Sequence, residues 1–141
     1  VFPDTGNNSP YELSVVTPPL PSTLLTDPGN AENQAFNLGD LNGLISVRDF
    51  VGVAGDSQDY YRFTIPTTAS FVNVTVNNIS DDIEYTLSGD PDGDGIFSDI
   101  VSTSTLGVPI NQFLNPGTYL IELNPLNGNT GNSEYNMSVS V

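Results

Sequence analysis

The stretch Asp90-Pro91-Asp92-Gly93-Asp94-Gly95-Ile96-Phe97-Ser98-Asp99 holds four carboxylates in ten residues. Aspartates at positions 1, 3 and 5 with Gly at 6 match the first half of an EF-hand calcium loop, where the position-7 ligand is a backbone carbonyl, here that of Ile96. Position 12 is Val101, so the bidentate Glu is missing. The flanks Tyr85–Ser88 and Ile100–Thr103 read as strands, so this is not an EF-hand. The four carboxylates repel one another, and with no Lys near by only a cation or screening relieves that. A divalent cation, Ca²⁺ before Mg²⁺, suits the loop, because Mg²⁺ prefers fewer protein ligands and strict octahedral geometry. The structural alternative is a solvated hairpin tip in which Asp and Gly simply make the turn.

The rest of the composition narrows the chemistry. Of 141 residues, 17 are acidic and 2 basic, for a net charge of −15. Charged residues are only 13% of the chain, against about 25% in ordinary proteins, so the imbalance comes from missing cations. Lys, His, Cys and Trp are absent, and Arg48 and Arg62 are the only cations. Such a chain cannot neutralise a phosphate backbone or settle on an anionic membrane, which argues against nucleic acid and membrane partners. It has no residues for a disulfide, a thiolate nucleophile, a structural zinc site, a Ser-His-Asp triad or a Schiff base. Carboxylates, amides, hydroxyls and tyrosines remain, an oxygen-rich set suited to hard cations. No apolar run approaches the ~18 residues of a membrane span, and no signal peptide is visible.

The elements that position these residues are strands. Val72, Val74 and Val76 alternate with Asn73, Thr75 and Asn77; Tyr61, Phe63 and Ile65 alternate likewise, as do Ile83, Tyr85 and Leu87. Tyr119, Ile121 and Leu123 form another set, and Tyr135, Met137, Val139 and Val141 the last. Period two predicts half-buried antiparallel strands. The spacers are turn formers: Pro66-Thr67-Thr68, Asn77-Asn78, Asn115-Pro116-Gly117 and Asn127-Gly128-Asn129. Seven to eight short strands predict an all-β fold, an antiparallel β-sandwich of jelly-roll type, with at most one helical turn in Asn30–Phe36.

An internal echo sets the expected boundaries. Gly6–Val16 (GNNSPYELSVV) resembles Gly131–Val141 (GNSEYNMSVSV), with Tyr11 and Tyr135 124 residues apart, the length of one module. Residues 1–16 are then expected to be the last strand of a preceding copy. Thr17–Thr26 would be a proline-stiffened linker and residues 27–141 the domain, as in a piece cut from a tandem array.

Asp27–Leu38 (DPGNAENQAFNL), Gly55–Phe63 (GDSQDYYRF), Asn115–Leu123 (NPGTYLIEL) and Tyr135–Val139 (YNMSV) together resemble bacterial pre-peptidase C-terminal domains, including the collagen-binding domains of clostridial collagenases. The resemblance covers roughly residues 26–141. It implies a non-catalytic β-sandwich accessory module of a secreted or cell-surface bacterial protein. It also implies calcium held between the N-terminal segment and the loop before the GD-x-x-DYY-x-F strand. Matched by position, the ligands are Asp27, Asn30, Asp56 and Asp59, with Glu32 beside them. The family's acidic N-terminal cluster is diluted here to Asp27-Pro28-Gly29-Asn30, and Asp56 and Asp59 as turn caps are the alternative. Asn124 and Leu126 stand where collagen-contacting aromatics are expected, so collagen recognition does not carry over. The Asp90–Asp99 loop is in turn similar to calcium loops of β-rich extracellular repeats, with Asp99 as closing ligand.

The expected function is an accessory module outside the cell, stabilised by one or two Ca²⁺ and joined to neighbouring domains of a parent chain. An adhesion module for polysaccharide or extracellular protein is the alternative, resting on Tyr60, which lies on the strand face opposite Tyr61 and Phe63. Self-association by strand addition through residues 11–16 is a third. Carboxylate-pair catalysis finds little support, since Glu84, Glu122 and Glu134 sit where strands should face solvent.

Overall fold

The computed structural model describes residues 27–52, 56–77, 83–90, 92–105, 108–126 and 133–141. The expected preceding strand, its linker and the turn at Asn127–Asn129 lie outside the described residues. After a 3-10 turn at Glu32–Gln34 come nine strands. These are β1 (Phe36–Asp40), β2 (Ile45–Val51), β3 (Asp59–Ile65), β4 (Ser70–Asn77), β5 (Ile83–Asp90), β6 (Asp99–Thr105), β7 (Ile110–Leu114), β8 (Gly117–Pro125) and β9 (Ser133–Ser140). They form a five-stranded sheet, β1-β3-β8-β5-β6, and a four-stranded sheet, β2-β9-β4-β7. All pairs are antiparallel except β1 with β3.

The alternation explains how the sheets face each other. Val72, Val74 and Val76 of β4 meet Tyr61, Phe63, Ile65, Ile83, Tyr85 and Leu87 from the opposite sheet in one core. Ile121, Leu123, Tyr135, Met137 and Val139 complete it. Val141, one residue past β9, is exposed and leaves the expected set. Nine strands stand where seven to eight were expected, because β1, β2 and β7 carry weak patterns. In β1 the alternation of Phe36 and Leu38 breaks at Gly39, whose φ of 80° favours glycine and where the pairing register shifts. Strand β7 has only five residues, between Pro109 and Pro116. Glu84 and Glu122 are half-buried and Glu134 exposed, alternating with buried neighbours, so they face away from the core as expected.

Candidate metal centre

Strand β3 opens with a carboxylate on its inward face. Asp59 shares the period-two face of Tyr61, Phe63 and Ile65 and is 0% exposed. Its Oδ2 accepts the Tyr135 hydroxyl from β9 at 2.5 Å, and the Tyr61 and Tyr135 hydroxyls lie 2.6 Å apart. Tyr135 has one proton and spends it on Asp59, so Tyr61 donates to Tyr135. The other oxygen, Asp59 Oδ1, is buried without a hydrogen-bond partner, as is Oδ1 of Asp56. Oxygens of Asp27, Asp56 and Asp59 lie within 4.8 Å of one another.

Local structure holds these groups together. Asp27 Oδ1 accepts the Gly29 N–H at 2.7 Å, folding the segment back on itself. Gly29 has φ 87°, and a Cβ there would lie 2.7 Å from Cβ of Gln34, so only glycine fits. Asn30 Oδ1 accepts the Gln58 N–H at 3.0 Å and the Ser57 hydroxyl at 3.5 Å, tying the segment to the loop before β3. The Asp56 carbonyl accepts the Gly52 N–H at 2.7 Å, closing that loop against the end of β2.

Burial and crowding make these carboxyls reluctant to ionise. Desolvation pushes Asp59 up to about 8, overriding the Tyr135 hydrogen bond, with Asp56, Asp49 and Asp27 adding repulsion. Asp56 rises to about 6, first by desolvation and then by the charges of Asp27 and Asp49. Asp49 is raised by burial as well. Sequence reasoning missed Asp49. Its signal was the alternation Ile45, Val47, Asp49, Val51, which places it on the inward face of β2, paired in register with Tyr135. The only ion pair among the described residues, Arg48 with Glu134, leaves these acids uncompensated.

Two expected contributors stand elsewhere. Glu32, on the 3-10 turn, is exposed and lines a cavity of about 610 Å³ with Arg62, Asp90 and Phe97. Tyr60 is only 7% exposed, which removes the open ring a stacked sugar needs. Its hydroxyl donates to Glu122 at 3.1 Å, where Gln58 Nε2 also donates at 2.9 Å. Burial, with Glu122 beside it, pushes the phenol up to about 12.

The acidic loop is the hairpin connection between β5 and β6, as its flanks foretold. Oxygens of Asp90, Asp92 and Asp94 also lie within 4.8 Å of one another. Asp90 accepts the Gly93 N–H at 2.8 Å with Oδ1 and the Gly95 N–H at 3.0 Å with Oδ2. Asp94 Oδ1 accepts the Ile96 N–H at 2.8 Å. Gly93 and Gly95 have φ of 74° and 86°, so the glycines make the turn. Asp99 pairs in register with Gly89 at the start of β6 and lines a recess of about 470 Å³ with Asp90 and Asp92, outside the three-carboxylate group.

No protein-family model and no curated protein sequence matches this chain. Its fold is similar to that of the pre-peptidase C-terminal domain of a collagenase from Bacillus anthracis (TM-score 0.59, 16% identity, covering 74% of this chain and 93% of that one). It is also similar to a periplasmic inhibitor of g-type lysozyme from Aeromonas hydrophila (TM-score 0.53, 10% identity, 74% and 96% covered). A third is a mitogen from Yersinia pseudotuberculosis (TM-score 0.51, 8% identity, 70% and 85% covered). At these identities the likeness is one of fold: a sandwich of pre-peptidase C-terminal type.

Proposed function

We propose that this chain is a non-catalytic accessory module of an exported bacterial multidomain protein, and that Ca²⁺ bound by Asp27, Asp56 and Asp59 stabilises its fold. The observation that carries this is Asp59, a fully buried carboxylate with an unpartnered oxygen beside two further acids. An uncompensated buried charge is strongly destabilising, and a divalent cation compensates it directly. Asn30 serves the site by joining its two segments. The Asp90–Asp99 loop, with the Ile96 carbonyl and Asp99, is a second and weaker seat, because its carboxylates already accept backbone N–H groups and face solvent. The likeness to domains of exported proteins supports an extracellular or periplasmic setting, where calcium is available to a weak site. Among the described residues no helix is long and apolar enough to cross a membrane.

Thermal unfolding in Ca²⁺ and after chelation tests the proposal. A cation at a hundredfold excess over its Kd adds about 2.7 kcal/mol, a rise of roughly 10 °C for a domain of this size. An unchanged midpoint removes the stabilising role.

A further inference from the structure

Charge is unevenly distributed along the chain and around the sandwich. From Phe63 to Ser80, and again from Ile100 to Ile121, the sequence contains no Asp, Glu, Lys or Arg. These stretches supply β4, β7 and all of β6 after Asp99. Strands β4 and β7 are paired, β6 and β7 touch across the two sheets, and each of β6 and β7 ends its sheet among the described residues. The uncharged residues therefore gather on one flank. The carboxylates of Asp49 on β2 and Asp59 on β3 belong to the other end of the strand orders, and the Asp90–Asp99 loop borders the neutral flank only at the start of β6, beside Asn115 and Pro116.

The neutral flank is also where large apolar side chains are exposed. Phe71 on β4 (58% exposed) and Phe113 on β7 (68%) are direct cross-strand partners, and Val108, just before β7, is exposed as well. Asn73 donates to Asn111 at 2.7 Å beside the phenylalanine pair. Exposed edge strands are ordinarily guarded by Lys, Pro, bulges or inward-pointing charges. Strand β7, Ile110-Asn111-Gln112-Phe113-Leu114, carries no charge, Pro or bulge within it and its register with β4 is unbroken, so its five-residue length and the flanking Pro109 and Pro116 are its only guards.

We propose that this flank docks a second copy of the chain, β7 pairing with β7 of the other copy so that the exposed phenylalanines cover one another. The charge pattern selects that occupant. Two bodies at −15 repel wherever their acids face each other, and β4 and β7 carry none. An antiparallel two-fold pair of β7 strands sets the two Asp90–Asp99 loops, each beside Asn115 and Pro116 at one end of β7, at opposite ends of the contact. A cationic partner is drawn to the acidic side instead. An edge strand paired antiparallel with its own copy satisfies two-fold symmetry and leaves no open edge at the contact. The proposal goes beyond the cation reading and does not depend on it.

Sedimentation velocity on the full chain, from micromolar to millimolar concentration, tests this. The expected result is conversion of the 15.0 kDa species to one of twice that mass, favoured by added salt because screening relaxes the repulsion between copies. Phe113→Lys should restore the 15.0 kDa species at every concentration and leave the melting midpoint nearly unchanged at the low concentration where both chains are monomeric, since the side chain is exposed. A full chain that stays monomeric throughout, as a flank reserved for polysaccharide would leave it, overturns the proposal. So does a dimer that survives Phe113→Lys but disappears when residues 1–25 are removed, which would assign association to Tyr11–Val16.

Discussion

The molecule has two acidic regions whose compositions look alike and whose physics differs. In the Asp90–Asp99 loop, Asp90 spends both oxygens and Asp94 one on N–H groups of the loop itself, and the side chains stand largely in water. Solvent and salt absorb most of the repulsion there. At Asp27, Asp56 and Asp59 the carboxylates come from a segment and a loop 29 residues apart in sequence (Asp27 to Asp56), and one sits inside the sandwich against Tyr135. An acidic motif is thus self-sufficient when the chain bends around it. It creates a need when strand alternation carries a charge inward.

If the contrast holds, the largest effect belongs to Asp59. Asp59→Asn keeps an acceptor for Tyr135 but removes the ionisable carboxyl, and with it both the calcium ligand and the cost of protonating or burying it. It should abolish the Ca²⁺-dependent rise of roughly 10 °C and raise the midpoint in chelator, as calorimetry in both conditions would show. A variant that still gains stability from Ca²⁺ would move the principal site to the loop. Next comes Tyr135→Phe, which leaves Asp59 Oδ2 and the Tyr61 hydroxyl without their partner inside the core. Denaturant titration should register a loss of about 1–3 kcal/mol.

The pH dependence has a definite sign. Asp59 and Asp56 have folded-state pKa values of about 8 and about 6, above the ordinary 3.8. Between about pH 4 and 8 the folded chain holds protons that the unfolded chain has released, so in chelator stability falls as pH rises. The calcium-dependent gain should grow over the same window as protons cease to compete, and paired melts at several pH values would show the two trends diverging. The smallest effect is expected in the loop. Asp92→Asn combined with Asp94→Asn should move the midpoint by no more than about 0.5 kcal/mol equivalent while lowering calorimetric calcium stoichiometry by one.

Much of this was legible in the residues because hydrophobic alternation is a local signal. Val72–Val76 and Tyr61–Ile65 announce their faces without reference to anything distant, and Asp90–Asp99 announces a turn through its glycines. The same signal, followed one step further, places Asp49 and Asp59 inside, yet a charge at an inward position reads as a strand end until a partner such as Tyr135 is known. Tyr60 shows the opposite failure. Its face was assigned correctly, but Glu122, from a strand paired with its own, and Gln58 enclose its hydroxyl from outside the core, and tertiary cover of that kind has no period.

The position of β9 also governs how the chain can fold. It is the last strand described, yet it lies between β2 and β4 at the middle of its sheet, with Ser46 bonded to Ser138 across 92 residues. Among the described residues, until β9 is available β2 has no partner and β4 only β7. Closure over such separations is slow. During synthesis the four-stranded sheet must wait for β9, and with it the tyrosine that meets Asp59, so the core and its buried carboxylate are completed in one late step.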